Sequence, residues 1–286
     1  MGAIRVLVVE DSLTIRKHLV ELLANSPGFE AVGEADNGKT AIEMCQRLRP
    51  DVITMDMMLP TMTGVAATEY IMAYCPTPIL IVSASTNRGE LFKTYDALAA
   101  GAVDVLEKPS GTVPDDVWNR ELLDALRVVS RVRVITHIRG RLGRIGRAPL
   151  TPMQPVAPPD AAPHRIVAIG ASTGGPGAVL AILSALPKDF APPILLVIHI
   201  AEAFGTALAE WLGAQTGINV RYAVDGERLP DWGQGGVLMA PPGKHLELRG
   251  GRLALSQGPE RHSCRPSVDV LFDSLAREMG NQTVAC

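Results

Sequence analysis

The sequence has no Cys-x-x-Cys pair. Its four cysteines, Cys45, Cys75, Cys264 and Cys286, lie far apart. That excludes the usual zinc and thioredoxin-like spacings and suits a reducing, cytoplasmic setting. It also has no run of about 18 uninterrupted apolar residues, so no membrane span is expected. The N-terminal stretch MGAIRVLVVEDS is too short in apolar residues for the core of a signal peptide, and acids follow at once. Neither sign of charge dominates: 27 Lys plus Arg stand against 30 Asp plus Glu, a formal charge of −3. That balance predicts no nucleic-acid partner. The glycines after Gly170 do not supply G-x-G-x-x-G. Gly175 and Pro176 stand where a phosphate-binding loop needs its lysine and hydroxyl. Dinucleotide and P-loop readings therefore both fit poorly.

What is present begins with length and apolar content. The chain has 286 residues, 47% of them hydrophobic, enough for two domains with buried cores. Composition breaks once. Residues 127–147 hold seven arginines and no Asp or Glu, and residues 148–163 then hold six prolines. Proline at that density continues neither a helix nor a central strand, and reads as an extended linker. The expected organisation is a first domain over 1–130, an Arg- then Pro-rich linker over 131–163, and a second domain over 164–286. The arginine stretch is read first as a solvated helix end merging into the linker. Steering towards acidic surfaces and contact with DNA are the other readings. No helix-turn-helix pattern follows it.

The first domain alternates short apolar runs (Arg5–Val9, Ala31–Ala35, Val52–Met55, Ile79–Ser83, Val103–Leu106) with helical spacing over 12–25, 39–49, 64–74 and 89–100. Continuous apolar strands with helical crossovers imply a five-stranded parallel sheet covered on both faces. The second domain opens likewise: a strand over 165–170, a helix over 177–186, a strand over 193–198 and a helix over 204–215. Gly250-Gly251 between two alternating runs signals a hairpin. A helix over 267–279 has Gly280 as its cap, and Thr283–Cys286 reads as the start of another strand. The whole is α/β: a flavodoxin-like first domain and a doubly wound second domain carrying a β-hairpin.

In open parallel sheets, ligands sit beyond the carboxyl ends of the strands. Glu10 and Asp11 end the first strand and Asp56 the third. Clustered carboxylates need a cation, and an oxygen-only set favours a hard ion such as Mg²⁺. Lys108 and Ser83, ending the fifth and fourth strands, add a fixed positive charge and a hydroxyl. Together they suit a phosphoryl group on one carboxylate. The motifs VLVVEDS, VITMDMMLPTMTG, ILIVSAS and GAVDVLEKPS resemble the receiver domain of bacterial response regulators over residues 3 to about 125. The resemblance implies that Asp56 is the phosphoacceptor, that Glu10 and Asp11 hold Mg²⁺ with it, and that Ser83 and Lys108 contact the phosphoryl group. It implies a cis peptide at Lys108-Pro109. It departs at Val105, where many receivers carry an aromatic.

In the second domain Gly170-Ala171-Ser172-Thr173-Gly174 fits G-x-S-x-G between a strand and a helix. Small neighbours permit a tight backbone there, and amides at the helix start can bind an oxyanion. A serine nucleophile needs a base, and His199 ends the next strand. IGASTGGP, VIHIAEAFGTALAEWL, LMAPPGKHLEL and CRPSVDVLFDSLA resemble the catalytic domain of the chemotaxis protein-glutamate methylesterase family. The resemblance implies that Ser172 attacks glutamyl methyl esters on methylated chemoreceptors. His199 would act as acid and base, and Thr173 would support the site. It also implies glutaminase activity, a chemotaxis histidine kinase as phosphodonor, and a receiver that covers the catalytic edge until Asp56 is phosphorylated. The family's triad aspartate follows a segment of the T-G-M-G-x-D-G type, which this chain does not contain. Asp225, Asp231, Asp269 and Asp273 do not match that motif. The expectation is a catalytic domain incomplete at its C-terminus, with hydrolysis reduced by roughly 10⁴-fold. The alternative is a non-catalytic phospho-switch that binds kinase and receptor.

Overall fold

The computed structural model describes residues 2–84, 87–109, 115–134, 165–187, 189–231 and 233–286. The chain divides into two compact units between Gly143 and Arg144. The proline-rich linker and most of the arginine stretch lie outside the described residues.

In the first unit β1 (Ile4–Val9), β2 (Phe29–Ala35), β3 (Val52–Met55), β4 (Ile79–Ser83) and β5 (Asp104–Glu107) form one sheet in the order β2-β1-β3-β4-β5. Every pairing is parallel. Strands β3 and β4 are buried at every position, which is why their sequence shows no polar alternation. The crossovers are α1 (Leu13–Ala24), α2 (Gly38–Leu48), α3 (Gly64–Tyr74) and α4 (Arg88–Ala99), followed by α5 (Asp115–Val129). Three helices start on side-chain caps: Asn37 accepts from the Thr40 amide, Thr63 from Ala66 and Asn87 from Glu90. Helix α5 lays Trp118, Leu122 and Leu126 against Leu19 and Leu23 of α1 over β1 and β4. The Trp118 indole donates to the Glu107 carbonyl at 2.7 Å, tying α5 to the end of β5. A cis peptide occurs at Arg265-Pro266 rather than at Lys108-Pro109, a correction to the receiver-based expectation.

In the second unit β6 (Ile166–Ala171), β7 (Ile194–Ile198), β8 (Val220–Tyr222), β9 (Val237–Met239) and β12 (Thr283–Ala285) form a parallel sheet in the order β12-β6-β7-β9-β8. β10 (His245–Arg249) and β11 (Arg252–Ser256) form the expected antiparallel hairpin. Gly250 and Gly251 both have left-handed φ, 56° and 72°, at its turn. Helix α6 (Gly175–Ala185) begins two residues earlier than its spacing suggests, because Pro176 fits the first turn, where no amide partner is needed. The single helix expected over 204–215 is two: α7 (Glu202–Gly205) and α8 (Leu208–Thr216). A Cβ at Gly205 would lie 2.5 Å from Pro242 Cγ, so the chain turns at this close approach while Phe204 and Leu208 both stay buried. β8 was not expected; it has three residues, too few to show a period. Helix α9 (Val268–Glu278) packs Leu271 and Leu275 on β6, β7 and β10.

Val268 also rests on Gly170, at the end of β6. A Cβ there would fall 2.3 Å from Val268 Cγ1 and 2.8 Å from Cγ2. A β-branched helical side chain has one preferred rotamer and cannot swing clear. Gly170→Ala is therefore expected to destabilise the second unit by about 1–3 kcal/mol, the usual cost of overpacking. The urea midpoint of that unit measures it, and an unchanged midpoint refutes the contact argument.

Candidate phosphorylation and active sites

In the first unit the candidate residues leave the sheet at one edge. The backbone ladder runs on past the strands: Glu10 N donates to Ala35 O, Asp56 N to Val9 O and Lys108 N to Ser83 O, each at 3.0 Å. These bonds bring three side chains together. Lys108 Nζ lies 2.9 Å from Asp56 Oδ2 and 2.8 Å from Glu10 Oε2. Asp56 also accepts from the Met58 amide at 3.3 Å, and Glu10 from the Ser12 amide at 3.1 Å. Glu10 and Asp56 are buried. Burial raises the Glu10 carboxyl above its usual 4.5, and the neighbouring Asp56 charge adds to the rise, against the bond from Lys108. Lys108 moves upward despite burial, because Asp56 and Glu10 both favour its charged form.

Asp11 is exposed and joins the same group. Glu10, Asp11 and Asp56 each offer a carboxylate oxygen, all within 4.8 Å of one another. Three hard oxygen donors carry three negative charges, and Lys108 offsets one. The donor set fits a hard divalent cation. Ser83 is fully buried, and its Oγ donates to the Ala84 carbonyl at 3.4 Å.

Two contributors were not singled out from the sequence. Arg16 Nη1 donates to the Glu10 and Asp11 carbonyls at 2.7 and 3.2 Å, bracing the loop that carries both acids. Gly64 starts α3 directly against Asp56: a Cβ there would lie 2.1 Å from the Asp56 carbonyl oxygen. The glycine closing VITMDMMLPTMTG was the available signal.

In the second unit the register Ala171↔Ile198 pairs the last residues of β6 and β7. Ser172 and His199 follow directly, joined at the backbone by His199 N donating to Ala171 O at 2.8 Å. The two thus leave neighbouring strands at the same edge. Ser172 is exposed, and its carbonyl accepts from Gly175 N at 2.6 Å, closing the turn into α6. The left-handed residue of that turn is Gly174, with φ 77°, while Ser172 itself has ordinary φ. Thr173 is exposed beside it. Among the described residues no hydrogen bond joins Ser172 Oγ to His199, a common feature of resting catalytic pairs.

His199 is half-buried. Burial pushes its imidazole below the ordinary 6.5, outweighing a hydrogen bond to the Pro266 backbone carbonyl and the charge of Asp269. It is therefore neutral at pH 7. Its Nε2 is buried and makes no hydrogen bond, while Cys264 Sγ lies 3.6 Å from Nδ1. Asp269 and Asp273 are committed elsewhere: Asp269 Oδ2 lies 2.6 Å from His262 Nδ1, and Asp273 pairs with Arg261.

Residues 6–114 match the response regulator receiver domain, and residues 167–286 match the CheB methylesterase domain. A protein-glutamate methylesterase/protein-glutamine glutaminase of Anaeromyxobacter dehalogenans is 42% identical over 279 residues, covering 98% of this chain and 77% of its own. The chain belongs to the protein-glutamate methylesterase/protein-glutamine glutaminase family. Another member, from Myxococcus xanthus, is 41% identical over 296 residues, 99% of this chain and 79% of its own. Among solved structures, the response regulator domain of Thermotoga maritima CheB is 38% identical, covers 46% of this chain and 98% of that one, and has a TM-score of 0.42. The methylesterase family thus accounts for both units in order, a receiver before a hydrolase. No described helix is long and apolar enough to cross a membrane.

Proposed function

We propose that this methylesterase hydrolyses glutamyl methyl esters on methylated chemoreceptors at Ser172, under control of phosphorylation at Asp56. One observation carries the reading: Ser172 and His199 leave adjacent paired strands side by side, next to the start of a helix. His199 takes the Ser172 proton as Oγ attacks the ester carbonyl. The proton passes to the departing methoxide, and methanol leaves a glutamyl-serine ester. His199 then deprotonates a water, which attacks that ester and restores Ser172 with a free glutamate. A glutamine amide follows the same path and releases ammonia. At the start of α6 Gly175 N bonds the Ser172 carbonyl and Pro176 has no N–H, so Gly177 N is the first-turn amide that can stabilise the oxyanion. Because the imidazole must be neutral to act as base, the rate should rise with pH through the depressed His199 pKa and level off near neutrality.

In the first unit Asp56 accepts the phosphoryl group from a histidine kinase, and Lys108 pairs with its new charge. Ser83 contacts a phosphoryl oxygen once its hydroxyl turns from Ala84. Glu10, Asp11 and Asp56 would hold Mg²⁺, which offsets charge during transfer. No nucleic acid enters this scheme.

Two experiments test these readings. The first measures methanol release from a methylated receptor fragment, with and without an acyl phosphate donor. Release that rises with the donor supports the proposal. A chain phosphorylated at Asp56 that releases no methanol is instead a non-catalytic phospho-switch. The second concerns the cation. Glu10, with its raised pKa, contributes stability below 4.5 that is lost as pH rises through its folded value. Mg²⁺ binds the ionised form, so its stabilisation grows with pH. At a concentration 100 times its dissociation constant it should add about 2.7 kcal/mol near pH 7 and progressively less towards pH 4. Calorimetry of the first unit reads this as Tm. A Tm indifferent to Mg²⁺ at pH 7 counts against the site.

A further inference from the structure

Arg16 closes the first turn of α1, yet its side chain serves the strand before the helix. A helical Cα–Cβ bond tilts towards the helix N-terminus, so a long side chain here reaches back over the residues that precede α1. Nη1 donates to the Glu10 carbonyl at 2.7 Å and to the Asp11 carbonyl at 3.2 Å, while Nε donates to Glu34 Oε2 on β2 at 3.2 Å. The Arg16 side chain is 14% exposed. Its own amide donates to Ser12 O at 2.9 Å, the first bond of α1. One residue thus joins the end of β1, the start of α1 and β2. The Ser12 side chain makes no cap bond, so this turn lacks the device that starts α2, α3 and α4.

We propose that Arg16 is a positioning residue for Asp11, its guanidinium fork aiming that carboxylate into the divalent-cation site before a cation arrives. The inference rests on the cation reading above. Glu10 O belongs to the peptide before Asp11, and Asp11 O to the peptide after it. Peptides are planar, so holding both carbonyls fixes φ and ψ of Asp11 and with them the direction of its side chain. That hold has work to do. The Glu10, Asp11 and Asp56 oxygens lie within 4.8 Å of one another, and like charges so close repel. Glu10 has anchors of its own in Lys108 and the Ser12 amide. Asp11 is exposed, and its carboxylate stands where its backbone puts it. The charges that move the Glu10 carboxyl are those of Asp56 and Lys108, so the hold of Arg16 is on backbone direction. A planar fork with fixed donors suits that task, and a lysine ammonium on a flexible stem does not.

The test compares the full chain with Arg16→Ala and Arg16→Lys. Isothermal titration calorimetry gives the Mg²⁺ dissociation constant, and phosphoryl incorporation from an acyl phosphate at saturating Mg²⁺ gives the rate once the site is loaded. Arg16→Ala should weaken Mg²⁺ binding by about tenfold, the scale on which residues behind a metal's ligands act. The rate at saturating Mg²⁺ should stay within about twofold, because coordination then holds Asp11 in place of the fork. Arg16→Lys keeps the charge and loses the fork, so it should bind Mg²⁺ about as weakly, and it carries the test if Arg16→Ala does not fold. A merely structural role would lower the urea midpoint of the first unit and leave the affinity of the folded chain alone. Unchanged affinity in the folded variants therefore overturns the proposal. So does full recovery by Arg16→Lys, which would make charge the cause instead of geometry. If the unaltered chain binds no Mg²⁺, the cation reading fails and this one with it. If it binds and the variants bind equally well, only the role of Arg16 fails.

Discussion

Ser172→Ala is expected to lower methanol release by a further factor on the order of 10² beyond the loss expected without the triad acid, to the residual that positioning and oxyanion binding alone support. The size follows from the chemistry of the pair. Without Oγ there is no acyl-enzyme, and the neutral imidazole of His199 has no proton to take. Two groups that act as one unit do not lose activity additively, so Ser172→Ala/His199→Ala should be scarcely worse than either change alone. Ser172 is exposed and makes its turn contact through its carbonyl, which alanine keeps. Stability should therefore move by no more than about 0.5 kcal/mol. The measurement is methanol release by the variant beside its urea midpoint. Residual release above about one part in ten of the original, from a folded variant, would move the chemistry to another residue.

Asp56→Asn should abolish phosphoryl incorporation from an acyl phosphate donor, and with it any rise in methanol release on adding that donor. An amide oxygen is too weak a nucleophile to accept the group, yet asparagine keeps the shape of the side chain and an acceptor for the Met58 amide. Lys108 retains Glu10 at 2.8 Å, so no buried charge is stranded. The variant should fold. Radiolabelled phosphate on the folded variant, at the stoichiometry of the unaltered chain, would show that another residue is the acceptor.

The architecture was legible where burial writes itself continuously into sequence. VITM and ILIVS are buried at every position, and such runs between helical segments have few readings other than a parallel sheet. Glu10, Asp56 and Lys108 were legible for a related reason: strand ends in one parallel sheet share an edge, so acids and a lysine at those ends must meet. Ser172 and His199 follow the same rule. What was not legible depends on distant contacts. The break between α7 and α8 comes from Gly205 meeting Pro242, while the apolar spacing runs on through it. Cys264 opens the motif CRPSVDVLFDSLA, but its neighbour His199 is 65 residues away, a proximity no spacing signals. Asp269 and Asp273 stood out in the sequence only as aspartates that do not match the triad motif. Their purpose needs Arg261 and His262 folded back onto α9, a turn that disfavoured backbone angles hide from sequence patterns.

The strand order of the second unit also governs how it is made. β6, which runs into Ser172, lies between β7, its neighbour in sequence, and β12, paired through Thr283↔Ile166. The first of these pairings is local, whereas the second closes a loop around nearly the whole unit. Contacts so distant along the chain form slowly, because the entropy of closure is spent before they return anything. Until β12 docks, β6 has an open edge of backbone donors and acceptors next to Ser172, a template for any stray strand. The strand that leads into Ser172 thus has an edge open to misassembly until β12 docks.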